Sequence, residues 1–164
     1  MRFPMKYVAF VCVLVVAVAG TDACRAAEVR FTRDGMMLDM GTGGSYCLRY
    51  PVLTDQAQKP TKPDSVTADD KGAVLSYGGG VKLAVTRSGA AVTLHFTHLN
   101  ETARGFRMEM TLPGEFAEGA TFQLQGGQAK AFPARFAGEQ FVLKGEPRPL
   151  VLTPPRGAAF TLAM

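Results

Sequence analysis

Apolar and polar residues alternate with a period of two along most of this chain, and the helical period of 3.6 is almost absent. The clearest case is Val81–Arg87, where Val81, Leu83 and Val85 fall on one face and Lys82, Ala84 and Thr86 on the other. Ser88-Gly89 supplies a turn, and Ala90–Leu99 runs back with Val92, Leu94 and Phe96 on a common face, so the pair predicts a β-hairpin. Phe106–Leu112 repeats the pattern, with Phe106, Met108, Met110 and Leu112 inward and Arg107, Glu109 and Thr111 outward, until Pro113-Gly114 ends it.

Shorter segments carry the same signal more weakly. Glu28–Thr32 and Met36–Met40 flank the turn Arg33-Asp34-Gly35, Ser45–Tyr50 stops at Pro51, and Ala73–Tyr77 lies between DDKG and Gly78-Gly79-Gly80. Thr121–Gln125, Gln140–Lys144, Leu150–Thr153 and Ala158–Leu162 follow, separated by Gly- and Pro-containing breaks. The polar stretch Thr54–Asp64 reads as a loop between strands. About ten short strands at this spacing predict an all-β, antiparallel β-sandwich or jelly roll.

One segment breaks the alternation. Tyr7–Gly20 is apolar almost throughout, preceded by Arg2 and Lys6 and followed by small residues around Ala23 and Ala26. A charged start, a short apolar middle and a small-residue exit make a secretory signal peptide over residues 1–26, with residues 27–164 as a single domain in a secreted or periplasmic location. A retained anchor is the alternative, but spanning a bilayer takes about 20 apolar residues; this run is shorter, and Asp22, Arg25 and Glu28 follow it closely. No stable membrane span is expected after cleavage. A cut after Ala23 instead of Ala26 would make Cys24 the first mature residue, the place a lipoprotein is acylated. Thr21 and Asp22 depart from the apolar and small residues that precede such a cysteine, so lipidation through Cys24 is the minor alternative.

Removing the leader changes the charge and cysteine pictures. The whole chain has a net charge of +4. Arg2, Lys6 and Arg25 hold three of the eighteen basic residues and Asp22 one of the fourteen acidic ones, so Ala27–Met164 has fifteen against thirteen, a net of +2. The basic residues are also scattered, which argues against nucleic acid as a partner. Cys12 leaves with the leader, and so does Cys24 with a cut after Ala26, so Cys47 is expected as a lone small buried residue. Were Cys24 kept, a Cys24–Cys47 bridge would tie down only the N-terminus, and neither case makes a disulfide scaffold. A domain of this size buries roughly 60% or more of its unfolded surface and needs no staples.

Candidate chemistry is sparse. His95 and His98 are the only histidines, and three apart on a strand they point to opposite faces, which does not suit one metal ion. Either one beside a carboxylate would make a minimal hydrolase or lyase, but no spacing selects a partner. Gly41-Thr42-Gly43-Gly44 starts like a dinucleotide loop, yet Tyr46 stands at the final glycine position and no helix follows; Gly78–Gly80 lacks the Lys-Ser/Thr of a phosphate loop. Both read as turns. Pro60–Pro63 has a PxxP spacing of little meaning in a polar loop, and Asn100-Glu101-Thr102 matches a glycosylation sequon. No catalytic residue, metal site or cofactor is assigned.

Tyr46, Tyr50 and Tyr77 are the candidate ligand-binding residues. Each lies in a strand among polar neighbours, and an aromatic face beside hydrogen-bonding groups can stack on a sugar ring. The competing reading places them at sheet edges with the ring in the core and the hydroxyl at the surface. From Val29 onward the chain resembles β-sandwich domains of secreted bacterial polysaccharide-active proteins, through Tyr50-Pro51, Phe106–Pro113 (FRMEMTLP), Phe132-Pro133, Gln140-Phe141 and the Gly157-to-Phe160 strand. That resemblance implies an exported, non-catalytic module that binds a polysaccharide or assists a protein acting on one. The alternative is a structural or interaction component of the cell envelope, whose sheet edge or face meets another envelope protein.

Overall fold

The computed structural model describes residues 10–19, 28–39, 44–89, 91–99, 103, 105–135, 149–153, 155 and 159–163. The expected strand at 140–144, the glycosylation sequon, Cys24, most of the first glycine-rich loop and both ends of the leader lie outside them.

In chain order the strands begin with β1 (Phe10–Ala19), β2 (Glu28–Phe31), β3 (Gly35–Asp39), β4 (Ser45–Arg49) and β5 (Val52–Thr54). Then come β6 (Pro60–Thr61), β7 (Ser65–Ala68), β8 (Gly72–Ser76), β9 (Lys82–Ser88) and β10 (Ala91–Thr97). β11 (Gly105–Arg107), β12 (Met110–Thr111), β13 (Thr121–Leu124), β14 (Lys130–Ala131), β15 (Leu150–Thr153) and β16 (Ala159–Ala163) complete the described strands, with an α-helical turn at Gly114–Ala117 and a 3₁₀ turn at Gly78–Gly80. The fold is all-β, and its described strands form three antiparallel sheets. The largest runs β14-β13-β15-β16-β1-β10-β9-β8-β7, the second β12-β4-β3-β2 and the third β11-β5-β6.

The expected hairpin is present as β9 and β10, with Leu83 opposite Phe96 and Val85 opposite Leu94. All four are buried, while Lys82, Thr86 and His95 between them are exposed. The Arg33–Gly35 turn also joins two strands as expected. Thr32 closes it, its hydroxyl donating to the Gly35 carbonyl at 2.9 Å. Gly35 sits there because a Cβ would lie 2.5 Å from the Leu48 carbonyl oxygen of β4.

The single strand expected over Phe106–Leu112 is instead two. Phe106 pairs with Leu53 in the three-stranded sheet, Met110 with Leu48 in the four-stranded one, and the Arg49 N–H donates to the Glu109 carbonyl at the crossing. A segment that changes sheets keeps its alternation but loses its ladder at the bend, which a periodicity reading does not see. The polar loop likewise contains β6, and β7 follows it, both strands too short to stand out from their surroundings.

The three sheets share one hydrophobic core. Met36, Leu38 and Tyr46 come to it from the second sheet, Leu53 from the third, and Leu75, Leu83, Leu94, Phe122 and Leu152 from the first. Phe96 and Phe106 meet across two sheets with ring centroids 5.5 Å apart, and Phe122 stacks on Phe132 at 4.7 Å.

The apolar run assigned to the leader is itself a strand here. β1 pairs with β10 through Phe10–Val15 and with β16 through Val15–Ala19, so Val15 alone is matched on both sides. Five of its ten residues are valine, whose branched side chain suits a pleated sheet. Among the described residues β1 is thus the sole link in the sheet between the β7–β10 block and the β13–β16 block. No helix among the described residues is long and apolar enough to cross a membrane.

Candidate functional site: a groove between two sheet edges

The three tyrosines do not form a stacking platform. Tyr46, Tyr50 and Tyr77 are 0%, 5% and 2% exposed, all within the core, so no ring face is open to a sugar. Their strands alternate, and each tyrosine takes an inward position: Tyr46 shares that side of β4 with Leu48, and Tyr77 follows Ala73 and Leu75. The hydroxyls are tied inside as well. Tyr50 donates to the Thr32 carbonyl at 3.0 Å and Tyr77 to the Pro51 carbonyl at 2.8 Å. Burial pushes all three phenols up, Tyr50 to about 12 with the neighbouring Cys47 adding to it. They brace the connections around β4, β5 and β8.

Cys47 is half-buried on the opposite side of β4, and not fully buried as expected. Burial raises its thiol pKa, Arg49 opposes that and Asp34 reinforces it, so the sulfur is a protonated neighbour of the core and a poor nucleophile. His95 is exposed on the outer side of β10, and His98 follows the strand with a left-handed backbone, φ 58°. Among the described residues no group of three or more His, Cys, Asp or Glu side chains is placed to hold a metal ion.

A groove of about 310 Å³, lined by Phe31, Thr32, Arg33, Val66, Thr67 and Ala68, lies where β2 meets β7. That volume is at the low end of the range of roughly 300–1,000 Å³ typical of ligand sites. Its walls are unusual in kind, because β2 ends the four-stranded sheet and β7 ends the nine-stranded one. Among the described residues both are therefore edge strands, which carry backbone groups that no sister strand takes.

Hydrogen bonding tells which groups face outward. The Thr32 N–H donates to the Gly35 carbonyl across the hairpin, whereas the Val29 carbonyl accepts from the Arg87 guanidinium at 2.8 Å, from the other sheet. Residues of an antiparallel strand alternate between facing the sister strand and facing away. Phe31, two beyond Val29, therefore aims its N–H and carbonyl at the open side. On β7 the Asp69 N–H donates to the Gly72 carbonyl at 2.9 Å, closing that hairpin. By the same alternation Ala68 and Val66 turn their backbone groups away from β8.

The groove thus sets peptide groups of Phe31 on one wall against those of Val66 and Ala68 on the other. Apolar surface from Phe31 and Val66 lies between, with exposed Arg33 and Thr67 at the rim. The Thr32 hydroxyl is already engaged, accepting from the Gly35 and Asp34 N–H groups at 3.3 Å each. Such a surface offers hydrogen bonds to an extended backbone. None of these residues stands out in the sequence. Edges are made by topology, and SVTA has only a weak strand signal beside its polar flanks.

No family model, curated protein or solved structure matches this chain.

Proposed function

We propose that residues 1–26 export this chain and are removed, and that residues 27–164 then act as a non-catalytic β-sandwich module of the cell envelope. The module recognises an extended segment of another protein by strand addition in the groove between β2 and β7. One observation carries this reading: Phe31, Val66 and Ala68, whose peptide groups strand alternation turns away from their sister strands, line a single groove between the end strands of two sheets. A core shared by residues of all three sheets supports the sandwich. The leader's charge, length and exit residues support export. Strand addition is favoured over glycan recognition because the tyrosines that would stack on sugar rings are inside the core.

The test is to offer the exported product a library of extended decapeptides and, in parallel, a panel of polysaccharides. Binding peptides are expected to slow amide exchange at Phe31, Val66 and Ala68, and N-methylation of alternate peptide amides is expected to abolish that protection. Retardation by a polysaccharide, with no peptide protecting those amides, would overturn the reading in favour of glycan binding.

A further inference from the structure

We infer that processing opens a second strand-acceptor site, between β10 and β16, and that its occupant is an amphipathic strand of another polypeptide, antiparallel to both. This rests on the export reading above, because the site exists only when Phe10–Ala19 is gone.

The geometry of β1 defines the vacancy. Among the described residues it alone separates β10 from β16, so its removal leaves Ala91–Phe96 and Ala159–Ala163 as two unpaired edges in the middle of a sheet, staggered along its length and overlapping at one position. A single strand of ten residues satisfies both, the first six against β10 and the last five against β16 with one residue shared. Edges of that length are templates for pairing with another chain.

The register also specifies the chemistry of the incoming strand. Positions 10, 12 and 14 oppose Phe96, Leu94 and Val92, each of them 1% exposed or less, so an occupant needs apolar residues there. Positions 11 and 13 oppose His95, which is exposed, and Thr93, which is half-buried, so polar residues suit them. The leader is apolar at all five of these positions. It meets the demand of the buried side and ignores the exposed one, as an occupant selected for export and not for this sheet would. A partner strand alternating apolar and polar matches both sides.

The exported product, as isolated from the cell, is titrated with two labelled decapeptides. One is apolar at the places matching 10, 12 and 14 with threonine between them, and the other has that alternation shifted by one residue. Because a one-residue slip sends every side chain to the wrong face, the in-phase peptide is expected to bind at least about tenfold more tightly. It is also expected to slow amide exchange within Ala91–Phe96 and to raise the melting temperature. Equal binding of the two phases, or no binding by either, overturns the proposal. So does a ligand-free product in which those amides of Ala91–Phe96 that face away from β9 are already protected, since a segment of its own chain would then fill the gap, or one that retains Phe10–Ala19. Protection at Phe31, Val66 and Ala68 reports on the other groove alone, so the two proposals fail separately.

Discussion

The β9–β10 hairpin and β1 are neighbours in one sheet, yet their sequences determine them to different degrees. In the hairpin, Leu83, Val85, Val92, Leu94 and Phe96 are buried while Lys82, Thr86, Arg87 and His95 are exposed. Alternation of that kind fixes both the face and the register, because a slip by one residue would bury the charges. Phe10–Ala19 has no polar residue to be misplaced. Nothing in it distinguishes one face from the other, and a continuous apolar run suits a helix in the export machinery as well as a central strand. The contrast teaches that hydrophobicity alone makes a segment sticky, and that only its interruption by polar residues gives it an address within a fold.

The largest expected effect lies in the hairpin. Leu94 is fully buried, and Leu94→Ala removes its contacts and leaves a cavity, so the exported product should lose about 2–5 kcal/mol in urea unfolding. A loss below about 1 kcal/mol would mean that β10 is not held in the core as described.

A smaller loss is expected where the tyrosine hydroxyls are removed. Tyr77→Phe leaves the buried Pro51 carbonyl without its donor and should cost about 1–3 kcal/mol, and Tyr50→Phe, whose bond is partly exposed, about 0.5–1.5 kcal/mol, both read by urea unfolding. Gain or loss of polysaccharide binding in either variant, with the fold intact, would return these residues to a recognition role.

Alkaline titration probes the same groups. Tyr50 keeps its proton to about 12 in the folded chain, whereas an unfolded phenol releases it near its ordinary value of 10.0. Between those values the unfolded state binds fewer protons than the native one, so stability falls as pH rises. The contribution is complete below pH 10 and is lost by about 12. Urea midpoints measured from pH 9 upward should fall through that window, and less steeply in Tyr50→Phe.

The smallest expected effect is in the leader. Val13→Ala preserves an apolar run, so export should continue, and the melting temperature of the exported product should match that of the unsubstituted chain because position 13 is no longer present. A measurable drop would show that β1 stays in the sheet.

The sequence was informative where a signal is local. Alternation located both hairpins to within a residue or two, and Gly35 and the Arg33–Gly35 turn fell where a close approach and a tight reversal need them. It was uninformative where the signal is a relation between distant strands. The sheet switch between Phe106 and Met110, the edge status of β2 and β7, and hence the groove at Phe31 and Val66, follow from topology. The tyrosines failed for a related reason. A lone aromatic among polar neighbours looks amphipathic in sequence, but strand parity put the ring of Tyr46 inside with Leu38 and Leu48. Cys47, one residue along, took the opposite side.

The export reading and the second acceptor site both turn on whether Phe10–Ala19 remains in the working protein. The direct measurement is the intact mass and N-terminal sequence of the product exported by a bacterium expressing the full chain with its own leader. A chain beginning at Ala27, or at Cys24 with or without lipid, is the result expected, and it leaves β10 and β16 without β1. A product that begins ahead of Phe10 would contradict the account, because β1 would then be a permanent strand and the second acceptor site would never open.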